Sequence, residues 1–211
     1  MQYFPMFMDL KNKPCLVVGG GEIARRKLHL LQQAGARITI VSPDLLDELA
    51  QQVAVGTLSY KQALFSPNDV QGHTLVIAAT DDRHTNEAVA QAANAANIPV
   101  NVVDQPDLCS FIMPAIVDRS PIIIAISSGG GVPVLARLLR AKLETLIPES
   151  YGHLAALATR YREKVRATFN SVTTRRIFWE DILQGEVAEK TFAGQLDAAE
   201  SALNKALSQA D

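Results

Sequence analysis

The residues with the clearest chemical role form a glycine-rich turn near the start of the chain. The segment Val17–Ala24 matches the pattern Gly-x-Gly-x-x-Gly/Ala, with Gly19, Gly21 and Ala24 in the three small positions. In a nucleotide-binding turn the first glycine permits the tight turn, the second lets a pyrophosphate approach the main chain, and the third small residue allows close helix packing. The pattern therefore predicts dinucleotide binding at a helix N-terminus. The alternative is an ordinary strand-to-helix turn that uses glycine for a positive φ.

The end of the second apolar run bears on which dinucleotide binds. A ribose-binding acid is expected there, but the position reads Val41-Ser42-Pro43 and the nearest acid is Asp44. Asp44 either takes that role or opens the next helix, where acids are favoured. No arginine or lysine follows the run to hold a 2′-phosphate, which favours NAD over NADP. S-adenosylmethionine sites also use glycine-rich loops, so the loop alone does not choose between hydride and methyl transfer.

Carboxylates follow two further apolar runs, at the sheet edge where open α/β proteins bind ligands. Asp104 ends the fourth strong run and is either a general base or the cap of a turn before Gln105. Asp81 and Asp82 follow the third run, where one of them either lines a cleft or caps a helix. By strand alternation Asn101 does not share a face with Asp104, and we expect it to be structural.

The other reactive groups predict neither a resident metal nor a nucleophile. The four histidines and two cysteines lack the spacing of metal ligands. Ser128 has no Ser-His-Asp signature around it, and its plain interpretation is a strand-end residue that bonds a turn. The tail carries a basic stretch, residues 160–176, in which Glu163 is the one opposing acid. We interpret that stretch as a solvated helix face rather than as a site for a carboxylate-rich ligand.

An alternating arrangement of strands and helices is predicted to position these groups. Strands are expected at residues 15–18, 37–41, 74–79 and 99–103, with a weaker candidate at 57–60. Helical composition fills residues 22–34, 44–54 and 85–96. Runs that are apolar on both faces suit parallel strands covered by helices on both sides, so we predict a doubly wound α/β sheet.

The pattern changes after residue 109. Two apolar runs, 111–117 and 122–126, flank the turn Asp118–Pro121 and predict a β-hairpin. Further helices are predicted at residues 133–147, 154–169, 174–183 and 194–208. The predicted fold class is α/β, with a Rossmann-type NAD-binding domain, a hairpin-plus-helix dimerisation segment and a small all-helical domain. Their respective bounds are 1–113, 114–148 and 149–211.

Composition excludes several classes of protein. The 211 residues are 48% hydrophobic, which is ordinary for a globular chain, and the net charge of −2 argues against a nucleic-acid coat. No apolar run approaches the roughly 20 residues of a membrane span, and the first residues lack a signal-peptide pattern. Two distant cysteines favour a reducing compartment, so we expect a cytoplasmic protein.

Several longer strings together identify a family that the separate motifs do not. They are Val18–Lys27, Ala78–Asp82, Asn101–Asp104, Ser110–Ala115, Asp118–Pro121, Ser127–Gly130, Pro133–Arg137 and Arg175–Trp179. In this order and spacing they closely resemble the dehydrogenase/ferrochelatase module of siroheme synthase, over essentially the whole chain. The resemblance implies NAD-dependent oxidation of precorrin-2 to sirohydrochlorin, then insertion of ferrous iron to give siroheme. It also implies an intertwined homodimer.

The family's functional residues carry over onto particular positions. The NAD contacts match Glu22 and Ile23 in the turn and Pro43 and Asp44 after the second strand, beside Gly19 and Gly21 of the motif. The catalytic aspartate matches Asp104. A serine that can be phosphorylated, in the tetrapyrrole pocket, matches Ser128, where a phosphate would hinder an anionic substrate.

Two other functions remain open at this stage. One is a dehydrogenase that leaves iron insertion to a separate chelatase, since both enzymes would share the glycine-rich turn and Asp104. The other is a non-catalytic NAD-sensing module, which the Rossmann part alone would allow. The length leaves no room for the methyltransferase that makes precorrin-2, so a separate uroporphyrinogen methyltransferase is expected to supply the substrate. The apolar hairpin, Ser110–Ser128, predicts dimerisation.

Overall fold

The computed structural model describes residues 2–209, which divide into two compact units. The break lies between Met113 and Pro114. The assignment of residues 114–148 to dimerisation and of 149–211 to a separate helical domain stays a prediction. Within residues 2–209, no helix is both long and apolar enough to cross a membrane.

The first unit is a five-stranded parallel sheet with helices on both faces, as predicted. Its strands are β1 (Pro14–Val18), β2 (Arg37–Ser42), β3 (Ser59–Gln62), β4 (Leu75–Ala78) and β5 (Val100–Val102). Its α-helices are α1 (Glu22–Gln33), α2 (Asp47–Ala54) and α3 (Arg83–Ala95). The strand order is β3-β2-β1-β4-β5, so the chain reverses direction across the sheet between β1 and β4. Ligands of open α/β sheets bind beyond the carboxyl ends of the strands at such a reversal.

Alternation along β1 explains the two cores of this unit. Cys15 and Val17 face one cluster, which includes Leu28 of α1, while Leu16 and Val18 face the other. These four of the five β1 residues are at most 2% exposed, so helices cover both faces of this central strand. Burial also raises the pKa of the Cys15 thiol to about 11.

The second unit begins with the predicted hairpin, but its first strand lies at residues 115–119 rather than at 111–117. Strand β6 (Ala115–Arg119) pairs antiparallel with β7 (Ile122–Ile126), and Arg119 lies opposite Ile122. The turn therefore consists of two residues, and the placement of Asp118 and Arg119 in it was wrong. Arg119 reaches the end of the following helix, where its Nε donates to the carbonyl of Ile147 at 2.8 Å. This contact satisfies a carbonyl group that a helix end leaves unpaired.

Five helices complete the second unit. They are α4 (Pro133–Leu146), α5 (Ser150–Thr168), α6 (Val172–Gln184), α7 (Glu186–Phe192) and α8 (Leu196–Ser208). Helices α5 to α8 share a core of buried apolar side chains around Leu157, Val165 and Leu203. Trp179, the single tryptophan of the chain, packs on that core. In α4, by contrast, Ala136 is the one buried residue of the helix.

We expect Gly152→Ala to destabilise the second unit. A Cβ atom at Gly152 in α5 would lie 2.8 Å from the Arg119 carbonyl oxygen and 3.0 Å from that of Ser120. Main-chain atoms of the hairpin cannot move aside cheaply, so the expected cost is about 1–3 kcal/mol. Urea unfolding followed by Trp179 fluorescence measures it. Gly131→Ala is the matched control, because its Cβ would meet nothing closer than 3.6 Å; equal stability of both variants would contradict the packing argument.

Candidate functional site

Gly19 closes the glycine-rich turn onto the end of β4. Its φ is +118°, and a Cβ there would lie 2.2 Å from the Ala79 carbonyl oxygen. Its N–H donates to the Val41 carbonyl at 2.9 Å, which continues the β1–β2 pairing beyond the strand end. Glycine at this position is therefore required by the fold itself.

Gly20, which the motif leaves free, is just as constrained. A Cβ there would lie 2.1 Å from the Asp44 carbonyl oxygen, and the Gly20 carbonyl accepts a hydrogen bond from Leu46 N–H at 3.0 Å. The segment after β2 thus packs directly on the glycine turn. No local sequence signal identifies Gly20, because its neighbour comes from a distant part of the chain.

Gly21 differs from both of its neighbours. Its φ is −90°, an ordinary value, and a Cβ would meet no atom within 4 Å. Nothing in the chain itself therefore demands glycine at this position. Open space at the second motif glycine fits a ligand that approaches the main chain closely, which is the role that the motif assigns to it.

The N-terminus of α1 is suited to bind an anion. Gly21 is the N-cap and provides no side-chain cap for the first N–H groups of the helix. The adjacent Glu22 carboxylate is bound by the Arg25 guanidinium through two contacts of 2.9 and 2.6 Å. That hydrogen bonding lowers the pKa of Glu22. The Arg25 guanidinium thus offsets the negative charge of Glu22 at the start of the helix. Ile23 beside it is half-buried.

The segment after β2 leaves Pro43 and Asp44 exposed beside this turn. Helix α2 begins at Asp47 with Leu46 as its N-cap, so Asp44 does not open that helix. A cavity of about 260 Å³ adjoins the segment. Its lining residues are Asp44, Leu45, Ala50, Val53, Tyr60 and Gln62.

The turn after β4 is organised by capping. Asp82 is the N-cap of α3 and accepts hydrogen bonds from the N–H groups of His84, at 3.3 Å, and Thr85, at 2.9 Å. The capping interpretation is therefore confirmed for Asp82. Thr80 is tied to the same helix, since its hydroxyl donates to Oδ1 of the buried Asn86 at 2.9 Å. These hydrogen bonds thus fix the turn after β4, which packs against Gly19.

Asp104 lies two residues beyond β5, at the same sheet edge. Its carboxylate is exposed and its φ is +57°, in the left-handed region that aspartate and asparagine tolerate best after glycine. The Gln105 N–H bonds the Val102 carbonyl at 3.4 Å across the turn. Cys109 lies inside this turn, with its Sγ 3.1 Å from Val102 N and 3.4 Å from the Gln105 carbonyl. These contacts hold the backbone on both sides of Asp104.

Two further side chains surround the Asp104 turn. Asn101 is buried, and its Nδ2 donates to the Phe111 carbonyl at 3.1 Å, which agrees with the structural role expected for it. Lys27 projects from α1 and is half-buried. Burial lowers the pKa of Lys27, while the nearby Cys109 and Asp104 oppose that shift. Lys27 therefore interacts electrostatically with Asp104, and sequence reasoning did not single out Lys27.

Ser128 belongs to the second unit, between β7 and α4. Its hydroxyl oxygen accepts a hydrogen bond from Val132 N–H at 3.1 Å, so it does bond the turn, and its place in a tetrapyrrole pocket stays a prediction.

Arginines of the basic stretch in the tail, residues 160–176, form ion pairs with acids elsewhere in the chain. Arg160 bonds Glu200 at 3.0 Å and Arg176 bonds Glu180 at 3.1 Å, so acids from outside the stretch add to Glu163, the one acid within it.

Potential metal ligands are dispersed in the part of the chain that the structure describes. Between residues 2 and 209, no three histidine, cysteine or acidic side chains are grouped to hold a metal ion. The edge formed by the carboxyl ends of β1, β2, β4 and β5 instead combines an uncapped helix N-terminus, open space at Gly21 and one exposed carboxylate at Asp104. This fold and this site define a Rossmann-type dinucleotide-binding protein.

Comparison with known proteins agrees with that class. A family model described as "Putative NAD(P)-binding" matches residues 6–115, and the chain belongs to this family. A second model, described as the sirohaem synthase dimerisation region, matches residues 150–207. That match lies within α5 to α8, and the assignment of residues 114–148 to dimerisation stays a prediction.

Individual relatives agree with the resemblance noted in the sequence. The siroheme synthase of Methylobacillus flagellatus is 54% identical over 208 residues, and that of Nitrosomonas eutropha 55% over 210. The alignments include 99% and 98% of this chain but 44% of each relative, so the chain spans less than half their length. A solved structure of SirC, a precorrin-2 dehydrogenase, shares the fold with a TM-score of 0.75 at 24% identity. That likeness covers 96% of this chain and all of SirC. The resemblance to siroheme synthase is therefore confirmed.

Proposed function

We propose that this chain oxidises precorrin-2 to sirohydrochlorin with NAD and then inserts ferrous iron to give siroheme. The observation that carries the proposal is the exposed Asp104 carboxylate. It lies on a turn whose backbone is fixed by contacts with Cys109, at the same sheet edge as the glycine-rich turn. The names of the relatives, siroheme synthase and precorrin-2 dehydrogenase, support the choice of substrate.

The nucleotide is proposed to bind through the glycine-rich turn. Gly19, Gly21, Glu22 and Ile23 would hold the pyrophosphate at the start of α1, and the segment Pro43–Asp44 would hold the adenosine ribose. Bound NAD would supply the hydride acceptor. We infer NAD rather than NADP because an acid, and no arginine or lysine, follows β2.

One carboxylate suffices for the proton transfers of both steps. Oxidation of precorrin-2 removes a hydride and a proton, and Asp104 is placed to accept the proton as general base. Iron insertion then requires two pyrrolic N–H protons to leave, and the same carboxylate can accept them one after the other, because the exposed Asp104 releases each proton to solvent before it takes the next. Iron enters as a substrate and leaves in the product, so this chemistry needs no resident metal site.

The proposal includes a homodimer. Helix α4 exposes an apolar stripe, which a second copy of the chain would cover: Val134, Leu135, Leu138, Leu139 and Leu146. The family model for a dimerisation region supports a homodimer.

A uroporphyrinogen methyltransferase is proposed to provide precorrin-2. A cytoplasmic location suits the two free thiols.

An anaerobic assay of the purified chain tests this function. With precorrin-2 and NAD, we expect NADH to appear at 340 nm as sirohydrochlorin forms. With sirohydrochlorin and ferrous iron, we expect siroheme to form faster than in protein-free controls. Oxidation without accelerated iron insertion would leave a dehydrogenase only. NAD binding with neither reaction would overturn the enzymatic proposal and favour an NAD-sensing module.

A further inference from the structure

Two side chains of the edge strand β3 hold the main chain that follows β2. The Tyr60 hydroxyl donates to the carbonyl oxygens of Ser42, at 2.9 Å, and Pro43, at 3.2 Å. The Gln62 side-chain amide donates to the same Pro43 carbonyl at 3.1 Å. The two donors share one face of β3 because they are two residues apart. They bind carbonyl groups at the end of the regular β2–β3 pairing and one residue beyond it, since the last pair is Ser42 with Gln62.

The same segment is held from the opposite side by the glycine turn. The Asp44 carbonyl packs against Gly20, and Leu46 N–H bonds the Gly20 carbonyl at 3.0 Å. Residues 42–46 are thus fixed between β3 and the turn that is proposed to bind the pyrophosphate. As a result, the main chain that carries the Asp44 side chain is held by contacts from both sides.

The charge around Asp44 favours a neutral ribose over a phosphorylated one. The 260 Å³ cavity beside it is lined by Asp44, Tyr60 and Gln62 together with three apolar side chains, and none of these carries positive charge. Lys61, between the two donors, lies on the other face of β3 and binds Asp69 at 2.5 Å. A carboxylate accepts hydrogen bonds from a ribose 2′-hydroxyl, whereas it repels a 2′-phosphate.

We propose that Tyr60 and Gln62 are positioning residues that fix Asp44 at the adenosine ribose and thereby select nucleotides with a free 2′-hydroxyl. This inference rests on the proposed NAD site. Neither residue needs to touch the nucleotide, since both act through the Ser42–Asp44 main chain. Desolvation first, and then the Asp44 carboxylate, raise the pKa of Tyr60, and the shift is in the direction that keeps the phenol a hydrogen-bond donor.

Calorimetric titration of Tyr60→Phe and Gln62→Met with NAD and NADP tests the inference. Each variant removes a donor and keeps the shape, and we expect it to weaken NAD binding roughly three- to tenfold. NADP binding should change little, so the ratio of the two affinities falls. ADP-ribose, which lacks nicotinamide, should lose as much affinity as NAD. Lys61→Met is the matched control on the same strand, and its affinity ratio should equal that of the unmodified chain.

A double-mutant cycle with Asp44→Asn shows whether the effect passes through Asp44. In that background Tyr60→Phe and Gln62→Met should no longer change the affinity ratio. The inference is overturned if the unmodified chain prefers NAD and these variants keep that preference, while the NAD site itself stands. It is also overturned if the effects persist without the Asp44 carboxylate. A chain that binds neither nucleotide would overturn the NAD site together with the inference.

Discussion

Gly21→Asp is expected to leave the protein folded and to abolish NAD binding. The position has an ordinary φ and open space around its Cβ, so the side chain fits without strain. Aspartate is also among the best N-cap residues, so the stability of α1 should not fall. Its carboxylate would lie where the pyrophosphate is proposed to bind, and like charges about 4 Å apart near a protein surface repel by about 4 kcal/mol. We therefore expect NAD affinity to fall by about 100-fold or more.

Gly21→Asn and Gly19→Ala are the informative comparisons. Asparagine caps a helix as well as aspartate does but carries no charge, so Gly21→Asn separates the volume of the side chain from its repulsion. Gly19→Ala should fail in the opposite way, because its Cβ would overlap the Ala79 carbonyl at a φ of +118°. We expect that variant to lose about 2–4 kcal/mol of stability.

Two measurements decide the outcome: urea unfolding monitored by far-UV circular dichroism, and calorimetric titration with NAD. The motif interpretation requires that Gly21→Asp lose binding but not stability, and that Gly19→Ala lose stability. If Gly21→Asp bound NAD as tightly as the unmodified chain, the glycine-rich turn would not be the pyrophosphate site. If Gly19→Ala were as stable as the unmodified chain, its close contact with β4 would be wrong.

The fold was predictable where the local pattern of apolar residues indicates which side chains are buried. Strand β1 is apolar on both faces and buried on both, and the glycine turn directly after it matched its motif. The edge strand β3 was placed two residues early because it is polar and mostly exposed, so periodicity is weak there. Helix α7 (Glu186–Phe192) was missed because seven residues are too few for a helical pattern to stand out.

Site residues that belong to a motif were predictable from the sequence, whereas residues that act through tertiary contacts were not. Gly19 and Gly21 follow from the motif, but their different reasons, a clash with β4 and open space, emerge from the structure. Gly20 and Tyr60 act through contacts with residues after β2, to which no local pattern points. Similarly, the apolar spacing of α4 was plain in the sequence, but spacing alone does not tell whether the stripe is covered or exposed.

Asp104→Asn is expected to lower the rate of precorrin-2 oxidation about 10²- to 10⁴-fold, the usual contribution of a general base. Asparagine tolerates a φ of +57° as aspartate does, and its amide is nearly the same size. The turn held by Cys109 should therefore keep its shape. NAD affinity should stay unchanged, since the proposed nucleotide contacts lie on the turns after β1 and β2. The loss should fall on kcat rather than on the KM for NAD.

Asp107→Asn is the matched control for this variant. Asp107 is also exposed and lies three residues further along, in a short 3₁₀ helix, but it follows the turn instead of forming it. Its replacement removes one negative charge from the same region of the protein. We expect kcat within about twofold of the unmodified chain, because charge alone at an exposed position has little effect.

Asp104→Ala separates the role of the carboxylate from that of the backbone. Alanine in the left-handed region costs roughly 1–2 kcal/mol, so this variant should lose stability that Asp104→Asn keeps. If the carboxylate is the base, both variants should lose turnover to a similar degree despite their different stability. If Asp104→Asn retained turnover while Asp104→Ala lost it, the residue would act by shaping the turn, and the base would have to be sought elsewhere. Iron insertion, measured on the same variants, should follow oxidation if a single carboxylate serves both steps.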